Sequence, residues 1–174
     1  MCRGLGTLHI PCLRHLLRAQ DPGLVFLMET KLLSTQMEGL KLKLGFRNGF
    51  CVSRRGLGGG LMMFWRDDWT VHIFTYSIDH IDVMVTDHEG YTFRFTGFYG
   101  NPYTSQRKHS WDLLRRLASV SSLPWICIGD FNEIISNVEK VGGNPRPQWQ
   151  IDDFKEAILL LQRNTFLGLS FYLE

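Results

Sequence analysis

Four short segments in the middle of the chain constrain its fold more than any other feature of the sequence. Apolar or β-branched side chains recur in them with a period of two, the spacing of a strand with one buried face, in residues 61–65, 71–73, 81–85 and 91–96. The links between successive segments are too short for a parallel crossover, which needs about a dozen residues or more. We therefore predict that these four strands pair as an antiparallel meander.

Two further apolar runs end in acidic residues. Residues 125–128 are flanked by proline and glycine, which makes the run too short for a helix and typical of a buried strand, and Asp130 follows it. Asp130 and Asn132 stand two residues apart, so in an extended segment their side chains point the same way. Residues 24–28 form a second buried run, which ends at Glu29. Because α/β proteins commonly place their chemistry at strand ends, these three side chains are candidate site residues.

Helical periodicity flanks these strands. Apolar side chains repeat at three- and four-residue spacing, on one face of each helix, in residues 13–17, 37–44, 111–117 and 151–161. A meander set between strand and helix segments differs from the alternating pattern of a dinucleotide-binding fold. The pattern favours an α/β protein in which helices cover the faces of the sheets.

Composition limits the class of protein. With 174 residues, 44% of them hydrophobic, the chain can form one packed domain, which excludes a disordered chain. The net charge of +2 is too small to indicate a polyanionic partner by itself. The cysteines have no C-x-x-C spacing and the histidines no H-x-x-x-H pattern, so a zinc site is not indicated. Because no apolar run is long enough to span a bilayer, we expect a soluble, intracellular protein with reduced thiols and no membrane partner.

Each candidate site residue also has a simpler structural interpretation. Glu29 could be a ligand of Mg²⁺, which takes one or two protein carboxylates, or a surface acid beside Lys31. Asp130 and Asn132 could hold a water and a phosphate oxygen, or could be turn formers. The Tyr99 hydroxyl could donate to a phosphate oxygen, or could belong to a core tyrosine. The residues alone leave these alternatives open.

Two basic pairs and a glycine run are further candidates. Arg54-Arg55 and Arg107-Lys108 could bind nucleic-acid phosphates, although solvated surface charge is the simpler interpretation of each pair. Residues 58–60 are three glycines that could let a ligand approach the backbone closely. Because no helix follows them, we interpret the run as a flexible turn.

Taken in order, five short motifs carry a family resemblance. They are Arg3-Gly4-Leu5-Gly6, Leu27-Met28-Glu29-Thr30-Lys31, Gly59-Gly60-Leu61, Phe98-Tyr99-Gly100-Asn101-Pro102 and Ile128-Gly129-Asp130-Phe131-Asn132-Glu133. With these motifs the chain resembles the endonuclease/exonuclease/phosphatase superfamily, and within it the endonuclease domain of plant LINE-type (non-LTR) retrotransposons. The resemblance runs from Met1 to about residue 161, and Glu-Thr-Lys followed at a distance by Gly-Asp-Phe-Asn is specific.

The resemblance implies a four-layer α/β sandwich in which two mixed, largely antiparallel sheets are covered by helices. It implies that Glu29 holds Mg²⁺, or Mn²⁺ in its place. Asp130 and Asn132 would position the attacking water and the phosphate, and Tyr99 would support the developing charge. The reaction would be metal-assisted hydrolysis of a phosphodiester bond in DNA. DNA would be the partner and the nucleus the location, and we expect a monomer.

The sequence departs from the family pattern near both ends. The family has an asparagine two residues before Arg-Gly-Leu, where this chain has Met1. The family also completes its site with late strands that carry a Ser-Asp-His-like segment, which residues 162–174 do not contain. We therefore expect residues 1–161 to form a partial, C-terminally truncated domain, followed by a divergent or truncated tail over residues 162–174. Loss of the histidine would impair activity, because general acid or base help is worth about 10² to 10⁴ in rate.

Two other functions fit the same sequence. The chain could be a catalytically inactive remnant that at most binds nucleic acid, through Arg54, Arg55, Arg107 and Lys108. It could also be a phosphatase that acts on a small phosphoester such as an inositol phosphate, because one fold hosts several substrates.

Overall fold

A computed structural model of the chain describes residues 10–53, 56 and 59–161, together with the backbone of residues 165–169. Strands β1 (Leu24–Leu27), β2 (Asn48–Val52) and β3 (Leu61–Trp65) form an antiparallel sheet in the order β1-β3-β2. Helices α1 (Ile10–Gln20) and α2 (Ser34–Leu44) accompany this sheet. Gly45 ends α2 with φ at 97°, a left-handed conformation that glycine adopts without strain.

The second sheet has five strands. These are β4 (Thr70–Tyr76), β5 (His80–Thr86), β6 (Thr92–Tyr99), β7 (Trp125–Asp130) and β8 (Thr165–Leu169), in chain order across the sheet. Strands β4, β5 and β6 are antiparallel, whereas β6, β7 and β8 are parallel. Helices α3 (Arg107–Ala118) and α4 (Gln148–Leu161) provide the two crossovers that these parallel strands need.

Three apolar clusters build four layers from these elements. One cluster lies between the sheets and includes Met63 of β3 and Val83 of β5. A second packs α1 and α2 against the outer face of the first sheet, around Phe64. A third packs α3 and α4 against the outer face of the second sheet, with Trp111 and Phe154 in ring contact. This order of helices, sheet, sheet and helices confirms the predicted four-layer α/β sandwich.

The predicted meander is wrong in its first strand. Strand β3 does not pair with β4 but lies between β1 and β2, with Met63 opposite both Phe26 and Phe50. The first four residues of β3 are all buried, because the strand is central in its sheet and covered on both faces. Such a strand has a continuous apolar run rather than an alternating one. The antiparallel meander therefore contains β4, β5 and β6 only.

Two elements lie where no strand was predicted. Strand β2 begins with Asn48 and Gly49, residues typical of turns, but at Gly49 a side chain would come within 2.8 Å of the Met63 carbonyl oxygen. Strand β8 falls inside residues 162–174 and pairs with β7. No helix among the described residues is both long and apolar enough to cross a bilayer.

A buried ion pair joins α3 to the second sheet. Both Arg94 and Asp82 are almost completely buried, and two arginine nitrogens donate to the carboxylate at 2.8 and 2.9 Å. Arg94 Nη1 also donates to the carbonyl oxygen of Leu117 in the last turn of α3, at 2.6 Å. Thr96 donates to the same carboxylate at 2.6 Å, and Trp125 lies under the guanidinium with its ring centroid 4.4 Å away. This network fixes the end of α3 against the sheet.

The buried pair makes Asp82 important for stability. We expect Asp82→Ala to lower the free energy of unfolding by about 3 to 5 kcal/mol, because it leaves the Arg94 charge buried without a partner. Asp68→Ala is the control, since its pair with Arg66 is partly exposed and contributes at most about 1 kcal/mol. Urea unfolding followed by circular dichroism measures both changes. Equal effects of the two substitutions would contradict the assignment.

Candidate active site

The predicted site residues meet at one edge of the sandwich. Strands β6 and β7 end together there, with Tyr99 opposite Asp130 in the parallel register. Glu29 follows β1 of the other sheet, and the Tyr99 hydroxyl donates a hydrogen bond to its Oε1 atom. The amide of Asp130 donates to the Met28 sulfur at 3.3 Å, which is a second contact between the sheets. Residues that are far apart in the sequence thus share one location.

Glu29 is positioned by the glycine run. The amides of Thr30 and Lys31 donate to the carbonyl oxygens of Gly60 and Gly59 at 3.1 and 2.9 Å. Gly60 has a φ of 91°, and a Cβ atom there would lie 2.5 Å from the Thr30 hydroxyl. Both facts require glycine, so Gly59 and Gly60 support the Glu29 segment rather than form the flexible turn that we predicted. Gly58 lies outside the described residues.

Asp130 and Asn132 are held by a tight turn after β7. Asn132 adopts a left-handed φ of 55°, and its amide donates to Asp130 Oδ1 at 2.7 Å. The Asn132 side-chain amide donates to the Gly100 carbonyl oxygen, also at 2.7 Å, which ties this turn to the end of β6. A Cβ atom at Gly129 would lie 1.7 Å from the Phe98 carbonyl oxygen, so only glycine lets the two strand ends approach this closely.

The electrostatics of the site keep Tyr99 protonated. Burial raises the pKa of the Tyr99 phenol, and so do its hydrogen bond to Glu29 and the negative charges of Glu29 and Asp130, while a hydrogen bond with Asn132 opposes the shift. Glu29, Asp130 and Asn132 thus all lie close enough to Tyr99 to influence its pKa. At neutral pH the phenol is therefore a hydrogen-bond donor and Glu29 is its acceptor.

A family model described as the Endonuclease/Exonuclease/phosphatase family matches residues 9–170. The chain belongs to this family. The family assignment made from the sequence motifs is thereby confirmed, whereas the finer likeness to plant LINE-type endonucleases stays a prediction. A comparison with curated proteins gives no match.

Solved structures of similar fold include three enzymes named for nucleic-acid or phosphate chemistry. The 3′ phosphatase NExo from Neisseria, bound to a product DNA hairpin, is 16% identical at a TM-score of 0.62, with 91% of this chain and 68% of NExo covered. The AP endonuclease LMAP from Leishmania major is 15% identical at a TM-score of 0.63, with 99% of this chain and 71% of LMAP covered. The endonuclease domain of TRAS1, a telomere-specific non-LTR retrotransposon, is 12% identical at a TM-score of 0.62, with 87% of this chain and 66% of the TRAS1 domain covered. At these identities the likeness concerns the fold.

The side chains at the site fit a hard divalent cation. Glu29 and Asp130 supply carboxylates and Asn132 an amide, and Mg²⁺ prefers such oxygen ligands while keeping several waters. Among the described residues, no group of three or more His, Cys, Asp or Glu side chains is arranged to hold a metal ion. The carboxylates of Glu29 and Asp130 and the amide of Asn132 carry oxygen atoms of the kind that Mg²⁺ and Mn²⁺ accept as ligands.

His80 is the first residue of β5 and lies at the same end of the sheet as Tyr99, but its side chain is on the other face. The ring contacts the hydroxyls of Thr75 and Ser77 at 3.0 and 2.9 Å, and burial lowers its pKa. In the strand register His80 stands opposite Phe98, which packs in the cluster under α3 and α4. Because side chains alternate along a strand, Tyr99 projects toward the first sheet instead.

The predicted DNA-binding residues have different locations. Arg54 and Arg55 lie outside the described residues, and Lys108 is exposed and paired with Asp112 at 3.1 Å. Arg107 differs from the expected surface cation because its side chain is buried against Glu133, with 2.7 Å between Nη1 and Oε2. Glu133 was not predicted as a site residue, and its position directly after Asn132 was the available signal.

The raised pKa of Tyr99 predicts a pH-dependent contribution to stability. Tyr99→Phe should lower the free energy of unfolding by about 1.5 to 3 kcal/mol at pH 7, because it removes the hydrogen bond to the Glu29 carboxylate. In the unfolded chain the Tyr99 phenol loses its proton at about pH 10, whereas in the folded chain its raised pKa keeps it protonated there. The contribution is therefore complete below about pH 10 and is lost as the pH rises further. Urea unfolding of both proteins at several pH values checks this, and a difference that grew with pH would contradict it.

Proposed function

We propose that this family member hydrolyses phosphodiester bonds in DNA with a bound divalent cation, as a LINE-type retrotransposon endonuclease would. The observation that carries the proposal is the meeting of Glu29, Tyr99, Asp130 and Asn132 at one edge. Tyr99 ends β6 of the second sheet and Glu29 follows β1 of the first sheet, and a hydrogen bond joins the two side chains. A shared location for two carboxylates, an amide and a phenol is what phosphoryl transfer needs for positioning and charge stabilisation.

Glu29 and Asp130 would hold Mg²⁺, with Mn²⁺ as a substitute. The bound cation would supply charge stabilisation at the phosphoryl oxygens. The Asp130 carboxylate would also accept a hydrogen bond from the attacking water and so orient it, because an ionised carboxylate is a hydrogen-bond acceptor only. Asn132 keeps its amide fixed on the Gly100 carbonyl oxygen and thereby sets the place of the turn beside Asp130.

Tyr99 has a more specific task in this proposal than the sequence indicated. The hydroxyl proton is directed at Glu29, so the phenol orients the carboxylate that would bind the cation. Tyr99 is in this sense a positioning residue for Glu29. The phenol is protonated throughout the physiological pH range and therefore keeps this hydrogen bond.

Support for DNA as the substrate comes from charge and from the similar structures. NExo was solved with a product DNA hairpin, and the names of LMAP and TRAS1 describe endonucleases. Lys108 is exposed near the start of α3. Lys108, together with Arg54 and Arg55 as the sequence indicated, would contact the phosphate backbone, which supplies most of the affinity without reading sequence.

Nicking of supercoiled plasmid tests this function. With Mg²⁺ present the chain should convert supercoiled plasmid to open circles, and EDTA should stop the conversion. Glu29→Gln and Asp130→Asn should each lower the rate by about 100-fold or more, because each removes a charge from the site. Asp68→Asn is the matched control, since that carboxylate lies beyond the opposite end of β3 and should leave the rate unchanged.

Measurements of DNA binding and of phosphate release, made beside the nicking assay, separate the alternatives. Salt-dependent DNA binding without nicking would contradict the hydrolase and favour the inactive nucleic-acid-binding remnant. Release of phosphate from inositol phosphates without nicking would favour the small-phosphoester phosphatase. Nicking that is equally fast in Asp130→Asn would show that the activity does not come from this site.

A further inference from the structure

A completely buried carboxylate directly follows the candidate site. The side chain of Glu133 is only 1% exposed. Glutamate is rarely buried in this way unless a charged group pairs with it. Its Oε2 atom accepts a hydrogen bond from Arg107 Nη1 at 2.7 Å, and its Oε1 atom lies 3.2 Å from Arg146 Nε and accepts from the Ile134 amide at 3.1 Å. One carboxylate therefore connects two arginines that lie 39 positions apart in the sequence, at 107 and 146.

Arg107 connects this carboxylate to the turn after β6. The guanidinium donates to the carbonyl oxygens of Asn101 and Pro102, at 3.3 and 3.2 Å. These two residues directly follow Gly100, whose carbonyl oxygen accepts the Asn132 side-chain amide. Glu133 therefore constrains both partners of the hydrogen bond between Asn132 and Gly100. It directly follows the donor, Asn132, in the sequence, and through Arg107 it holds the turn that contains the acceptor, Gly100.

Arg146 connects the carboxylate to the long loop before α4. Its backbone amide and carbonyl groups pair with the Asn137 side chain at 2.8 and 3.1 Å, which closes the loop. The Nε atom is buried and makes no hydrogen bond with aligned geometry to any described residue, so its attraction to Glu133 is that of charge. Two guanidinium groups thus face one buried carboxylate.

We propose that Glu133 is a positioning residue, which fixes the Gly100 turn and the Asn132 turn relative to each other through Arg107. Its effect on catalysis rests on the proposed function, but its effect on the two turns does not. Without the negative charge of Glu133, the buried Arg107 guanidinium would lack an anionic partner. It would then be held less firmly against the carbonyl oxygens of Asn101 and Pro102. The Gly100 carbonyl oxygen would then move away from the Asn132 side-chain amide, and the shifted Asn132 backbone amide would hold Asp130 Oδ1 less firmly.

Hydrogen exchange tests the effect on the two turns. Glu133→Gln keeps the shape of the side chain and removes its charge. In that variant the amides of Gly100 and Asn132, which donate to Asp130 at 2.7 Å each, should exchange about 10-fold faster or more, while amides in β5 are unchanged. Asp153→Asn is the matched control, because it also breaks a short ion pair of α3, that with Arg115 at 2.6 Å, but away from these turns. No acceleration at Gly100 and Asn132 would overturn the proposal.

Kinetics on the wild-type chain and the same variants tests the effect on catalysis. Glu133→Gln and Arg107→Lys should each lower kcat for plasmid nicking by about 10- to 100-fold with little change in KM, and the double variant should be no worse than either. Equal losses in Asp153→Asn, or additive losses in the double variant, would show general destabilisation and overturn the proposal. If the wild-type chain does not nick, the proposed function fails while the exchange measurement still decides the role of Glu133.

Discussion

The hydrogen bond from Tyr99 to Glu29 joins the two sheets at the edge where the candidate site residues gather. The cluster between the sheets is apolar, and apolar packing has no preferred direction, so it holds the sheets together without fixing the ends of their strands to each other. A hydrogen bond has a preferred length and angle and therefore does fix them. Because Tyr99 is opposite Asp130 in the sheet, orienting Glu29 on Tyr99 also places it relative to Asp130.

Among the described residues, four other than glycine have a positive φ angle, and all but Asp21 lie at the same edge. Glu29, Lys31 and Asn132 all have positive φ angles, which costs a residue other than glycine about 1 to 3 kcal/mol, less for asparagine. The surrounding structure maintains these conformations through the Gly59 and Gly60 carbonyl oxygens on one side and the Asp130 side chain on the other. Strain that is maintained in this way is typical of functional sites, which agrees with the location of the carboxylates.

The sequence predicted which side chains meet at this edge better than it predicted the pairing of strands. Glu29 and Asp130 could be found because each ends an apolar run, and their family motifs named the partners. Strand β3 was assigned to the wrong sheet because burial on both faces removes the alternation that would have shown its environment. The pair of Arg107 and Glu133 could not be predicted, since charges 26 residues apart are usually solvated and only the fold brings these two together.

The proposed binding of one divalent cation where the two sheets meet is tested most directly by paramagnetic relaxation with Mn²⁺. In two-dimensional NMR spectra of the labelled chain, substoichiometric Mn²⁺ should broaden the amide signals of Glu29, Tyr99, Asp130 and Asn132 first, and excess Mg²⁺ should restore them. Signals of Asp67 and Asp68, beyond the opposite end of β3, should stay sharp at the same concentration. Broadening that begins at Asp67 and Asp68, or that spreads evenly over the surface carboxylates, would contradict the account.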